Sequence, residues 1–214
     1  MRRDELRFFN PWSDVATTRN RLPHWRQDGV VVFVTWRLAD SIPKANLDRH
    51  HEEVTVWKSR HPEPWNEDTE REYHRLFSQK MDEWLDAGSG SCVLRSPANA
   101  QFVKDALLHF EGERTAMLSF VVMPNHVHGL FVLNADWRLE ALIQSWKRYS
   151  AVRINRRENR TGNPLWQKDY FDRLVRDSRH FGNCVRYIRR NPEKARLGAG
   201  EFILWESELA REID

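Results

Sequence analysis

Cysteine is scarce in this chain: its 214 residues include 2, Cys92 and Cys184. They stand far apart and match no metal-ligand spacing, which excludes a disulfide-framed scaffold and a thiolate metal cluster. Long apolar runs are missing as well. None approaches the roughly 18 residues of a membrane span. The opening Met1-Arg2-Arg3-Asp4-Glu5 is charged, with no signal-type apolar stretch behind it. A cytoplasmic protein away from membranes is expected. There is no internal repeat and no low-complexity tract. The length is ample for one well-filled core.

What the chain does have is charge, unevenly placed. The net charge of +3 hides an asymmetry. Between residues 137 and 200, 16 Lys and Arg stand against 6 Asp and Glu, whereas the rest of the chain carries 18 against 25. A basic half of this kind is a footprint for a polyanion, most simply nucleic acid. Trp146, Tyr149, Trp166, Tyr170 and Phe171 are interleaved with the arginines. Unpaired bases stack on such rings while phosphates meet Arg and Lys.

Residues 1–28 read as irregular and polar. After Gly29, the run Val30-Val31-Val32-Phe33-Val34-Thr35-Trp36-Arg37-Leu38 spells a strand, and its unbroken apolarity places it centrally. Pro43 opens a helix over 43–59. A second helix covers 67–87, with Tyr73, Leu76, Phe77, Met81, Trp84 and Leu85 at helical spacing. A third covers 97–111. Strands over 114–122 and 126–133 flank a Pro124-Asn125 turn. A fourth helix spans 137–155 on an apolar stripe of Leu139, Leu142, Ile143, Trp146 and Tyr149. A strand over 165–175 is interrupted by Asp169 and Asp172. A fifth helix covers 179–190, stopped or kinked at Asn191-Pro192. The tail holds a short helical piece and an apolar patch, Phe202-Ile203-Leu204-Trp205.

With the first two helices set aside, the order is β-α-β-β-α-β. This is the split pattern of a ferredoxin-like α+β fold, with a four-stranded antiparallel sheet and helices on one face. The expectation is one unit over 1–214, with a helical insertion at 43–90 after the first strand and a tail from 198.

His126-Val127-His128 opens an apolar strand. Side chains alternate along a strand, so both imidazoles project the same way. Two such rings can share one metal ion; the other reading is a pair of strand histidines bonded to neighbours. In the fifth helix Phe181, Cys184, Val185 and Ile188 lie at i, i+3, i+4 and i+7 and form the packing face. Tyr187 lies to one side of that stripe, with Asn191 four residues on. Pro192 disfavours helical geometry at Asn191, which leaves the direction of its amide open. A phenolic oxygen is a competent nucleophile toward phosphorus, helped by a dication that polarises the phosphate. His126, His128 and Asn191 supply a two-His-plus-amide metal site, and Tyr187 the nucleophile beside it. Tyr149 lies on an apolar stripe and Tyr73 in the insertion, while Tyr170 could line the site.

These features resemble the single-tyrosine HUH transposases, and among them the REP-associated tyrosine transposases. Four stretches carry the resemblance. Leu22-Pro23-His24-Trp25 precedes the strand Phe33-Val34-Thr35-Trp36-Arg37-Leu38. Val122-Met123-Pro124-Asn125-His126-Val127-His128 holds the histidines. Leu165-Trp166-Gln167 precedes Tyr170, and Tyr187-Ile188-Arg189-Arg190-Asn191-Pro192 holds the tyrosine. Together they reach from residue 20 to residue 197.

The resemblance implies that His126 and His128 bind a divalent ion, Mg²⁺ or Mn²⁺, that Asn191 stands where a third, amide-type ligand belongs, and that Tyr187 is the nucleophile. It implies cleavage of single-stranded DNA through a 5′-phosphotyrosyl enzyme and a free 3′-hydroxyl, on imperfect hairpins from repetitive extragenic palindromes. Charge and position then mark Lys147, Arg148, Arg153, Trp166, Gln167, Lys168, Arg186 and Arg190 as DNA contacts. The expected protein is a cytoplasmic, nucleoid-associated enzyme, monomeric or homodimeric. Its alternative is a DNA-hairpin-binding protein on the same scaffold with little or no strand transfer.

Two other enzymes with alternating histidines fit poorly. A histidine-triad hydrolase needs a further His where Leu130 stands. A His-x-His amidohydrolase needs a barrel of about 250 residues. An RNA-binding ferredoxin-like module would leave the His pair and Tyr187 without a task.

Overall fold

The computed structural model describes residues 2–13, 16–19, 23–62 and 65–214. Near the start, β1 (Ala16–Arg19) and β2 (Pro23–Arg26) pair antiparallel as a separate ribbon, where an irregular segment was expected. Thr17 and Thr18 favour extended backbone, and Pro23 stands at a strand start, where no ladder bond is lost. Of Leu22-Pro23-His24-Trp25, Leu22 and the three following side chains lie outside the described residues.

The main sheet is built on β3 (Val31–Arg37), β4 (Thr115–Val122), β5 (His126–Leu133), β6 (Phe171–Leu174) and β7 (Ile203–Glu206). Their order is β6-β3-β5-β4-β7, antiparallel at every pairing. Without β7 this is the split ferredoxin-like arrangement. The sheet therefore has five strands, not four. The patch at 202–205 is the added strand. It covers the outer edge of β4, which would otherwise present unpaired backbone groups, and Trp205 stacks on Phe120 with ring centres 5.5 Å apart.

Strand alternation sorts the residues onto two faces. Val32, Val34 and Trp36 of β3, Val127 and Phe131 of β5, and Phe120 and Val122 of β4 pack against α4 (Pro97–Leu108) and α5 (Leu139–Arg157). Trp36 and Trp146 stack in this layer at 6.0 Å. The opposite face holds Val31, Leu118, Val121 and Leu130, and α6 (Ser178–Lys194) lies on it through Phe181, Cys184, Val185 and Ile188. Helices thus cover both faces, where one was expected: α4 and α5 share a face as the split pattern requires, and α6 takes the other.

Three elements depart from the sequence reading. Tyr149 is 45% exposed, and Ser150 is buried in the place expected for it; the buried stripe of α5 steps by four from Trp146 to Ser150 to Ile154. The strand at 165–175 shrinks to β6, because Lys147 Nζ draws the carbonyls of Gln167, Lys168 and Asp169 to itself at 3.0, 3.2 and 3.1 Å. Finally, α6 continues through Pro192. An interior proline costs about 3 kcal/mol, but each buried apolar side chain of α6 contributes about 1.5–3 kcal/mol. The proline also falls in the last turn, so the helix persists.

Between β3 and α4 the chain makes a helical excursion: α1 (Lys44–Arg60), α2 (Glu67–Tyr73), a π-helical turn over His74–Ser78, and α3 (Gln79–Asp86). It starts and ends at one clamp. Ser91 N–H donates to Asp40 Oδ2 at 2.9 Å, and a Cβ on Gly90, whose φ is +89°, would sit 2.4 Å from the Asp40 carbonyl oxygen. The tail ends in α7 (Glu208–Arg211). Arg189 of α6 binds Glu206 Oε1 at 3.0 Å and the carbonyls of Ala210 and Ile213, so the tail is fastened beside α6.

Candidate active site

β5 is the middle strand, and its first and third residues are His126 and His128. Both face α6, and both are 1% exposed. Their rings lie 4.7 Å apart, centre to centre. The helix brings Tyr187 to the same spot: its hydroxyl is 3.5 Å from His128 Nε2. Phe33 from β3 stacks on His128 at 5.7 Å and meets the Tyr187 ring edge-on at 5.9 Å. Because α6 runs unbroken past Pro192, Asn191 stays one turn below Tyr187, against His126 and Tyr187.

Hydrogen bonds fix which histidine nitrogen faces the site. Asn125 Nδ2 donates to the carbonyls of Leu85, at 3.1 Å, and Ser89, at 3.3 Å. Its Oδ1 is therefore the acceptor for His126 Nδ1 at 2.8 Å. In the neutral ring Nδ1 carries the proton and Nε2 keeps its lone pair. His126 Nε2 is buried and makes no hydrogen bond, and neither polar atom of the Asn191 amide makes one. His128 Nδ1 pairs with Thr35 Oγ1 at 2.7 Å, which leaves its Nε2 toward Tyr187.

Buried polar atoms normally find partners. Here three of them, on His126 and Asn191, converge without one beside a third donor atom, His128 Nε2. Among the described residues no three His, Cys, Asp or Glu side chains form a metal-binding group, so a cation at this place would need the amide. The donor set, two imidazoles and a carboxamide, suits a divalent ion with open positions left for a substrate oxygen. Burial pushes the His126 imidazole down to about 3. Burial, reinforced by the charges of His126 and Lys194, takes His128 well below its ordinary value. Both rings are neutral near pH 7, as ligands must be.

The excursion supplies a residue that its apolar spacing did not reveal. Asp82, on α3, is near enough to the Tyr187 hydroxyl for each group to shift the other's ionisation. Burial raises its carboxyl to about 6, while the contact with Tyr187, Lys194 and Arg173 pulls the other way. Burial, followed by the charge of Asp82, pushes the Tyr187 phenol far up. Lys194 Nζ stands 5.0 Å from the centre of the Tyr187 ring. Thr35, Phe33 and Lys194 also escaped the sequence reading. Register could have located Thr35, since it lies directly across from His128; nothing local marks Asp82.

The other expected residues are spread out. Arg148 and Arg153 are exposed on α5, across the sheet from the histidines, around a surface hollow with Tyr149, Val152 and Arg156. Lys147 is half-buried with its ammonium on three carbonyls. Trp166 is buried, its Nε1 donating to Ser150 Oγ at 3.0 Å. Gln167 is half-buried and Lys168 exposed on the adjoining loop. Tyr170 is buried on the α5 side, away from the histidines. On α6, Arg186 binds the Asp214 carbonyl and Asn183, whereas Arg190 is exposed.

Fold and site together define a ferredoxin-like α+β protein with a paired-histidine centre under a helix-borne tyrosine. Residues 101–191 match the family described as transposase IS200 like. That stretch, less than half of the chain, holds both histidines, Tyr187 and Asn191. No curated protein matches the chain. Among solved structures, one described as the REP-associated tyrosine transposase bound to a REP hairpin is similar over 78% of this chain and 69% of its own. The identity is 15% and the TM-score 0.44. Among the described residues no helix is long and apolar enough to cross a membrane.

Proposed function

We propose that this transposase is a divalent-metal-dependent strand transferase for single-stranded DNA hairpins of the repetitive-extragenic-palindrome kind, working through a 5′-phosphotyrosine. One observation carries the reading. The Tyr187 hydroxyl stands 3.5 Å from His128 Nε2, next to the unpartnered His126 Nε2 and Asn191 amide.

In this reading His126, His128 and Asn191 hold Mg²⁺ or Mn²⁺. Bound there, the ion offsets charge on the scissile phosphate. The chain's own residues do the rest. Asn125 and Thr35 keep the imidazoles turned toward the site. Phe33 packs against the reacting side chains and keeps water from them. The Tyr187 oxygen attacks phosphorus, the bond to the 3′ oxygen breaks, and a 5′-phosphotyrosyl link and a 3′-hydroxyl result. Because the phosphodiester is exchanged and not hydrolysed, a 3′-hydroxyl can later reverse the step and rejoin strands. Exposed Arg148, Arg153, Lys168 and Arg190 meet the DNA backbone.

The test is incubation with 5′- or 3′-labelled hairpins, with Mn²⁺ or EDTA, and a denaturing gel. A metal-dependent covalent adduct on hairpins, lost in Tyr187→Phe, supports the reading. Hairpin binding with no adduct would return the chain to the alternative, a DNA-hairpin-binding protein.

A further inference from the structure

The helical phase of α5 turns an aromatic ring outward. Trp166 Nε1 donates to Ser150 Oγ at 3.0 Å, and the serine hydroxyl donates to the Trp146 carbonyl at 2.7 Å. With Ser150 held inside, Tyr149 is 45% exposed, and Val152, about one turn on, is 55% exposed. Among the described residues four large apolar side chains are exposed: Trp12, Val56, Tyr149 and Val152. The last two are neighbours on one helix face.

Cations stand around this pair. Arg148 and Arg156 lie one turn to either side of Val152, and Arg153 lies one turn after Tyr149. All three arginines are exposed. The Arg153 guanidinium rests on the Phe102 ring of α4, 4.9 Å from its centre, which holds it at the rim. The hollow formed by these five side chains continues past Val152 and Arg156 to the loop Thr161-Gly162-Asn163-Pro164. Among the described residues no Asp or Glu lines either part. From Gln144 to Arg156 this face runs about 18 Å along the helix axis.

We infer that this face of α5 binds a single-stranded DNA segment adjoining the hairpin stem. One unpaired base stacks on the Tyr149 ring against Val152, and the neighbouring phosphates meet Arg148, Arg153 and Arg156. The inference rests on the hairpin-binding part of the reading given above and needs no strand transfer. Charge complementarity selects a polyanion. The exposed ring selects an unpaired strand, because a ring stacks on a base only where the face of that base is open. A paired stem would meet the arginines and leave Tyr149 and Val152 in water. A second copy of the chain fits poorly: a two-fold contact sets the patch against itself, arginines facing arginines with no acid between them. Because α5 lies across the sheet from His126 and His128, the segment held here is not the one brought to Tyr187. It fixes where the stem sits on the protein.

The experiment uses the full chain in EDTA, so that binding alone is read. The probes are a hairpin with single-stranded flanks, carrying 2-aminopurine at one unpaired position after another, and the same stem with a blunt end. Stacking quenches 2-aminopurine fluorescence. Loss of one stacking ring costs about 5–100-fold in affinity. We expect wild type to quench at one flank position. Tyr149→Ala should lose that quench and bind the flanked hairpin weaker by this factor. Tyr149→Leu, which keeps bulk without the ring, should do the same, and Tyr149→Phe should keep both signals. Affinity for the blunt stem should stay unchanged in all three. A Tyr149→Ala protein that quenches as wild type does, or that weakens on blunt and flanked hairpins alike, overturns the inference. So does a wild-type dimer in sedimentation that Tyr149→Ala splits with no quench at any position, which makes the face a contact between chains. Quenching by a wild-type chain that forms no adduct in Mn²⁺ defeats strand transfer and upholds this inference; an adduct with no quench at any flank position defeats this inference alone. A chain that binds neither probe defeats both.

Discussion

The hydroxyl of Tyr187, on α6, stands 3.5 Å from Nε2 of His128, on β5. The two residues are 59 positions apart in the chain. They meet because α6 lies on the sheet face that carries the histidines, while the two helices of the split pattern lie on the other.

That meeting point makes Tyr187→Phe the sharpest single change. The ring stays, so packing against Phe33 and His128 is kept. We expect adduct formation to fall below detection, with melting temperature and hairpin affinity nearly unchanged. A denaturing gel and a gel shift on the same preparations read both; a surviving adduct would move the nucleophile elsewhere.

Asn125 holds His126 in one tautomer, so its loss should be felt as metal affinity. Removing an outer hydrogen-bond partner of a metal-binding histidine typically costs about 10–100-fold in affinity. Asn125→Ala should show that drop for Mn²⁺ by calorimetry. Unchanged Mn²⁺ binding would mean that burial alone orients the ring.

The carboxyl of Asp82 gives a pH signature in stability. Its value in the folded chain is about 6, above the ordinary 3.8. The folded state therefore holds the proton more tightly than the unfolded chain. The stability this confers is fully present below pH 4 and is lost as pH rises through 6. Asp82→Asn lacks this loss. Urea unfolding at pH 4.5 and 7.5 should show the variant gaining about 1–2 kcal/mol on wild type at the higher pH. Equal pH dependence in both proteins would place the carboxyl in water. Asp86, Lys194 and Arg173 also act on Asp82 and are common to both.

Lys147 and its neighbours on α5 separate structure from DNA contact. The Lys147 ammonium is committed to three carbonyls, and burial lowers it to about 8. Lys147→Ala should cost about 2–3 kcal/mol in unfolding experiments, since carbonyls lose charged donors. Arg148→Ala with Arg153→Ala should leave stability alone, weaken hairpin binding and reduce its salt slope by about 2. Unchanged salt dependence in the double variant would remove that face of α5 from the DNA path.

Much of the fold was legible because its signals are local. The unbroken run at 30–38 was read as a central strand, and β3 does lie inside the sheet. The Phe181, Cys184, Val185, Ile188 spacing gave the packed face of α6 as observed. Signals failed where distant partners decided. The patch at 202–205 has too few residues to show alternation, and only the free edge of β4 turns it into a strand. Tyr149 sits at an apolar spacing, yet Trp166 needs a hydroxyl from Ser150, so the serine goes inside. Pro192 argued locally for a break, and the buried face of α6 outweighed it.

For the site, the sequence by itself determined the chemistry available: two imidazoles on one strand face, a phenol and an amide one helical turn apart, and a basic half to the chain. Periodicity suffices for this, because neighbours in a strand or helix have fixed relative directions. Only the tertiary structure decided that these groups share one place, that Asn125 and Thr35 turn the imidazoles inward, and that Asp82 comes near Tyr187, which stands 105 positions further along the chain. Such contacts are set by which face a helix covers and where an excursion is clamped, and no repeat in the chain encodes them.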